Sequence, residues 1–213
     1  MKDVWEARDI ARVAVFTAII VVLGLMGPIP VPGLVPITAQ TLGVMLAGAV
    51  LGWKRAAASV LVLYALIAIG LPVLAGGHGG LGVFVGPSVG YLIGWLPGAI
   101  TIGLIAQSGR LTWWRVAVGT IIGGIVVIYA IGVPVQAFIT QLPLAGAALA
   151  SVAFLPGDLI KVVLATILAL ALFRAYPAAF PARVRATRAG GSSGAATAGA
   201  VSAPGEGAAR GEA

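Results

Sequence analysis

Long apolar runs, each closed by a short cluster of glycine, proline or basic residues, govern what this chain can become. About 20 consecutive apolar residues let a helix cross the hydrocarbon core of a bilayer, and several runs here approach that length. They cannot all be hidden inside one soluble domain of 213 residues that is 60% hydrophobic and only 9% charged, with a mean hydropathy of +1.10. The chain therefore reads as an all-α integral membrane protein, embedded in a lipid bilayer and without room for a large extramembrane domain.

Breaker and capping signals predict six helices, over about 10–26, 38–52, 56–70, 87–106, 114–132 and 156–173. A proline-rich loop, 27–36, follows the first and has the character of a lid. Residues 71–85 form an uncharged loop in which five glycines surround His78. Pro134 is expected to end the fifth helix. The next stretch, 135–153, holds Gln136, Thr140, Gln141 and Pro143 and reads as an irregular or half-embedded connection. Residues 1–180 make up the membrane domain. Beyond Pro181 the chain is dominated by Ala, Gly and Ser and has no aromatic residue, so 181–213 is expected to be a disordered cytoplasmic tail.

The basic residues fall in alternate connections. Lys2, Arg8 and Arg12 lie at the N-terminus, Lys54 and Arg55 at the turn from the second helix to the third, Arg110 and Arg115 at that from the fourth to the fifth, and Arg174, Arg183, Arg185 and Arg188 on the C-terminal flank of the sixth. Under the positive-inside rule this predicts six spans with both termini in the cytoplasm. The net charge of +7 is thereby explained by topology, and nucleic-acid binding is not expected. Cysteine is absent and histidine occurs once, which excludes a disulfide, a cysteine nucleophile and a thiolate or His-rich metal site.

Against this apolar background, residues 154–161 (Phe-Leu-Pro-Gly-Asp-Leu-Ile-Lys) stand out. Pro156 suits the first turn of a helix, and Asp158 then falls at the positive end of the helix dipole. Lys161, three residues on, shares its face. Charges in lipid cost about 2.5–3.5 kcal/mol on insertion scales, so they usually face the protein interior and serve a purpose. Two readings follow: a self-neutralising pair that fixes the last helix, or a pair that grips two ends of one ligand. The topology puts both residues near an outward entrance.

Small residues recur at helical spacing. Gly82, Gly86, Gly90, Gly94 and Gly98 form one row and Gly119 with Gly123 another, either packing helices closely or walling a pocket. Ala7, Ala11, Ala14 and Ala18 leave one face of the first helix smooth, for internal packing or for a partner helix. Gly86-Pro87-Ser88-Val89-Gly90 matches the nucleophile-elbow pattern of serine hydrolases, but that elbow needs a preceding strand. No lysine follows a glycine, so no phosphate-binding loop for ATP hydrolysis exists. No internal repeat of the kind common in secondary transporters is visible, although a small stand-alone carrier of a carboxylate or vitamin remains the main competing reading.

Several short motifs, taken in order, resemble a known family. They are Val35-Pro36-Ile37-Thr38-Ala39-Gln40-Thr41, Gly70-Leu71-Pro72-Val73, Gly76-Gly77 with Gly79-Gly80, Gly86-Pro87-Ser88 with Gly90-Tyr91, and Phe154-Leu155-Pro156-Gly157-Asp158 with Lys161. Together they are similar to the biotin-specific substrate-binding subunits (S components, BioY type) of energy-coupling-factor (ECF) transporters. The resemblance implies a six-helix bundle in a bacterial plasma membrane that captures biotin outside. It implies as partners an ECF transmembrane coupling protein and two cytoplasmic ATPases, which use the ATP. No catalysis and no cofactor are expected, biotin being the transported ligand.

By the same resemblance, Asp158 and Lys161 meet the ureido and carboxylate ends of biotin, in an order the sequence leaves open. Tyr91, Gln40, Thr38 and His78 are the remaining pocket candidates, and Ala7, Ala11, Ala14 and Ala18 would meet the coupling protein. This chain departs from the family pattern in carrying Gly-Pro-Ser in place of Gly-Pro-Thr, which keeps the hydroxyl. It also places His78 between the glycine pairs and contains no asparagine.

Overall fold

The computed structural model describes residues 5–28 and 37–186. Seven main helices make up the described residues: α1 (Ala7–Leu25), α2 (Gln40–Leu51), α3 (Trp53–Ala68), α4 (Val89–Ala106), α5 (Trp113–Thr140), α6 (Leu144–Val152) and α7 (Leu155–Ala175). Short 3-10 turns occupy Leu81–Val85 and Pro177–Ala179. Strands are absent among the described residues, apart from an isolated bridge between Leu74 and His78. α4, α5 and α7 are long and apolar enough to cross a membrane. α2, at 12 residues, is apolar but shorter, and α1 carries Arg8, Asp9 and Arg12 in its first turns.

α4 occupies the centre, packed against α2, α3 and α5, while α7 lies against α2 and α5. Glycines bring α4 and α5 together. A methyl group placed on Gly90, Gly94 or Gly98 would come within 3.0 Å of α5, at Val135 and Gly132, at Ile128 and at Gly123 respectively. The glycine row therefore serves both readings: Gly90, Gly94 and Gly98 pack helices, and Gly82 and Gly86 wall a cavity.

α1 begins with a reciprocal capping box between Glu6 and Asp9. It buries Val13, Phe16, Thr17, Ile20 and Gly24, spaced three and four residues apart. Ala7, Ala11, Ala14 and Ala18 fall on the opposite, exposed side. Asp9 is buried and accepts from Arg12 Nη1 and Arg55 Nη2, both at 2.9 Å, while Arg12 also donates to the Ala178 carbonyl. One carboxylate thus ties the starts of α1 and α3 to the turn after α7.

Three expectations need correction. Pro134 does not end the fifth helix, which continues to Thr140. A proline removes one backbone hydrogen bond, a loss that packed membrane helices absorb, as α4 does at Pro97. The connection expected to be irregular is helical in most of its length, with only Gln141 to Pro143 between α5 and α6; Gln141 takes the left-handed conformation, φ 57°. Trp53-Lys54-Arg55 is the first turn of α3 rather than a loop. Gly52, at φ 77°, both ends α2 and caps α3, so a single residue turns the corner.

α5 contains a π-helical stretch, Ile122–Val127, between its two α-helical parts. Of the tail expected to begin at Pro181, residues 182–186 are helical, and Val184 is buried, as is Phe180 just before it. Residues 187–213 lie outside the described residues, as does 29–36, most of the loop expected to act as a lid.

Candidate ligand-binding site

Three helices converge on the carboxylate and amine of residues 154–161. Asp158 sits in the first turn of α7, which starts after Phe154 with Pro156 near its N-terminus, and Lys161 lies one turn further in. Lys161 Nζ donates to Asp158 Oδ1 at 2.8 Å and to Thr41 Oγ1 of α2 at 2.9 Å. Tyr129 of α5 donates its hydroxyl to Asp158 Oδ2 at 2.5 Å. Asp158 is only 6% exposed. Neither charge is left alone in the apolar interior, which is the condition for tolerating such burial.

Capacity nevertheless remains on both groups. An ammonium has three donors and Lys161 uses two on these partners; a carboxylate offers about four acceptor positions and Asp158 uses two. The pair can therefore hold one molecule that presents an acceptor and a donor close together.

This pair lines a cavity of about 510 Å³. The volume is within the range of small-molecule sites, about 300–1,000 Å³. Gly82, Gly86, Leu92 and Ile128 contribute mainly apolar wall. Tyr91, Gln40, Thr38 and His78 all border it, so the cavity gathers the six residues expected at the site. Their surroundings differ. The Tyr91 hydroxyl donates to Gln136 Oε1 and lies 2.7 Å from both that atom and Ser151 Oγ, joining the cavity wall to α5 and α6. Its ring stands edge-on to Tyr129 and to Phe154, with centroids 5.8 and 6.2 Å apart.

Gln40 is almost fully buried, and its amide is committed to the backbone. Nε2 donates to the carbonyls of Ile20 and Val73, and Oε1 accepts from Ala75 N–H at 3.0 Å. It pins the glycine loop to α1 and α2. The loop doubles back between Leu74 and His78, which requires Gly76 and Gly77 at φ 81° and 74°. A side chain on Gly79 would strike the Leu71 carbonyl. His78 is exposed, with Nδ1 2.9 Å from the Ala75 carbonyl. Thr38 sits half-buried at the rim.

Ser88 also borders the cavity, but a 3-10 turn, Leu81–Val85, precedes it where a nucleophile elbow needs a strand.

The comparisons with known proteins bear on this geometry. The sequence profile described as the BioY family matches residues 1–178. The chain belongs to the BioY family. Among BioY relatives, the "Biotin transporter BioY" of Rhizobium etli is 47% identical over 186 residues, spanning 84% of this chain and 99% of its own. That of Rhodobacter capsulatus is 46% identical over 190 residues, 83% of this chain and 98% of its own. A crystal structure of the S-component for biotin from an ECF-type ABC transporter superposes with a TM-score of 0.76. It is 33% identical and covers 82% of this chain and 95% of that one.

The BioY match contains every residue that borders the cavity. Two of them, Thr41 and Tyr129, escaped the sequence reading although they hold the charged pair. Tyr129 carried one signal, being the single polar side chain between Thr120 and Gln136. Thr41 lies inside a motif that was noticed, but nothing local distinguishes it from Thr38. Trp95, whose ring borders the cavity one turn beyond Tyr91, has no polar neighbours in sequence to mark it.

Proposed function

We propose that this chain is the biotin-capturing, substrate-specific subunit of an ECF transporter, taking biotin from the outer side of the cell membrane. The observation that carries the reading is the buried Asp158–Lys161 pair, held by Tyr129 and Thr41, in the wall of a cavity of small-molecule size. Biotin suits it chemically. The ureido ring offers two N–H donors and a carbonyl, the valerate ends in a carboxylate, and the thioether ring and alkyl chain between them are apolar. Asp158 accepts from N–H groups and Lys161 donates to an oxygen of the ligand. Tyr91 and Phe154 supply aromatic surface, while Gln40 and the loop it pins shape the cavity mouth.

Membership of the BioY family and the likeness to a biotin S-component support this reading. The six-span topology with cytoplasmic termini rests on the alternation of basic clusters, and three long apolar helices are consistent with it. With no phosphate loop in the sequence, energy for uptake comes from separate ATPases through a membrane coupling protein. The exposed alanine face of α1 is the surface offered to that protein. The reading is tested by titrating the purified chain with biotin, dethiobiotin and unrelated carboxylate vitamins. Saturable binding of biotin in preference to the unrelated vitamins is expected, and equal response to all of them would refute it.

A further inference from the structure

The charged pair in the cavity wall is neutral as a unit: Asp158 and Lys161 lie 2.8 Å apart, and each cancels the other's charge. On the biotin reading, on which this inference rests, a neutral pair suits the uncharged ureido group and leaves the valerate carboxylate without a counter-charge. Carrying an unpaired carboxylate into a largely apolar cavity is costly. Apart from the pair, the titratable side chains among the described lining residues are Tyr91 of α4, Tyr129 of α5 and His78 of the glycine loop, while Thr38, Gln40 and Thr41 do not titrate. A phenol cannot become a cation. An imidazole can, and its ordinary titration falls between pH 5 and 8.

The loop holds that imidazole by one nitrogen. Nδ1 lies 2.9 Å from the Ala75 carbonyl, an oxygen that can only accept, so Nδ1 carries a proton and the neutral ring keeps its lone pair on Nε2. The His78 carbonyl accepts from Leu74 N–H at 3.0 Å, and the ring sits over Gly76, where an added methyl group would come within 2.9 Å of Cε1 and Nδ1. The ring is exposed and borders the cavity, so water reaches it and a ligand can too.

We propose that His78 is the counter-charge for the ligand's carboxylate: the imidazole takes up a proton from water as the ligand binds, and Nε2–H then donates to a carboxylate oxygen at the cavity mouth. The carboxylate stays ionised throughout. Binding of the anion and binding of the proton favour each other, so affinity rises as pH falls from about 8 to about 6 and declines in the other direction.

Isothermal titration of the full chain in detergent with biotin and with the uncharged biotin amide, in buffers of different ionisation enthalpy, reads affinity and proton uptake together. Biotin should bind several-fold more tightly at about pH 6 than at about pH 8, with up to one proton taken up, and the amide should show neither effect. His78→Gln keeps a polar side chain without the charge. It should remove the proton uptake and the pH dependence for biotin while amide binding is retained, which also reports a folded site. His78→Lys supplies a cation at every pH tested and should restore tight biotin binding at about pH 8 without proton uptake. Proton uptake that persists in His78→Gln, or that accompanies the amide, overturns the proposal and moves the titration to Asp158 or Lys161. Biotin binding by the native chain without proton uptake overturns it as well, leaving the start of α4, at Ser88, to face the carboxylate. If neither compound binds, the biotin reading itself falls and this inference with it, an outcome distinct from the other two.

Discussion

Asp158 is tolerated in an apolar helix because Lys161 of the same helix and Tyr129 of α5 both bond its carboxylate, and each partner makes a separate prediction. On the proposed assignment, Lys161→Ala and Asp158→Asn would each remove a charged hydrogen bond to the ligand, worth about 1.5–3 kcal/mol, and should weaken biotin binding by roughly tenfold or more. Isothermal titration checks this, and near-normal affinity in both variants would end the site assignment. Tyr129→Phe leaves the charges in place but frees Asp158 Oδ2, so a smaller loss is expected. Gln40→Ala acts differently. It abandons three backbone partners at Ile20, Val73 and Ala75, and the unfolding midpoint should fall by the equivalent of about 1–3 kcal/mol together with the loss of binding. The charged pair was legible in the sequence because ionised groups in a lipid-facing segment need a reason. Gln40 was legible as a residue of the cavity wall but not as a structural post, because its partners come from backbone 20 and 33 residues away.

At the level of elements, helices were legible where apolar runs met glycine and proline, and misjudged where a local breaker was outweighed by packing. Pro134 is a strong local stop signal, yet α5 passes through it because Gly90 of α4 lies against Gly132 and Val135 on either side. The start of α3 was set three residues late because its basic residues suggested a loop, whereas the positive φ of Gly52 makes the turn alone. The α4–α5 seam leads to a stability prediction. Gly98→Val inserts a branched side chain against Gly123 and Ile128, and overpacking of this kind typically costs about 1–3 kcal/mol. Thermal unfolding in detergent should show it, while a valine at Gly82, which meets nothing within 4 Å, should leave the midpoint unchanged.

For the molecule as a whole, the two ends carry different chemistry, and the absence of cysteine makes their sides of the membrane testable. A single cysteine at His78, exposed in the same loop, should react with an impermeant thiol reagent added outside intact cells, and one at Ser108 only after the membrane is opened. The reverse pattern would invert the topology. Ala14→Trp on the exposed face of α1 should spare biotin binding and abolish ATP-driven uptake in vesicles holding the partner subunits; undiminished uptake would free that face from a coupling role. The π-helical stretch of α5 links these ends in one further way. A π turn holds nearly one residue more than an α turn. The half of α5 that bears Tyr129 and Gln136 is therefore out of phase with the half that begins at Trp113, by about the 100° that one residue subtends. Deleting the exposed Val126 would let the helix regularise and swing Tyr129 away from Asp158, uncoupling the orientation of one end of the protein from that of the other without removing a single side chain of the site.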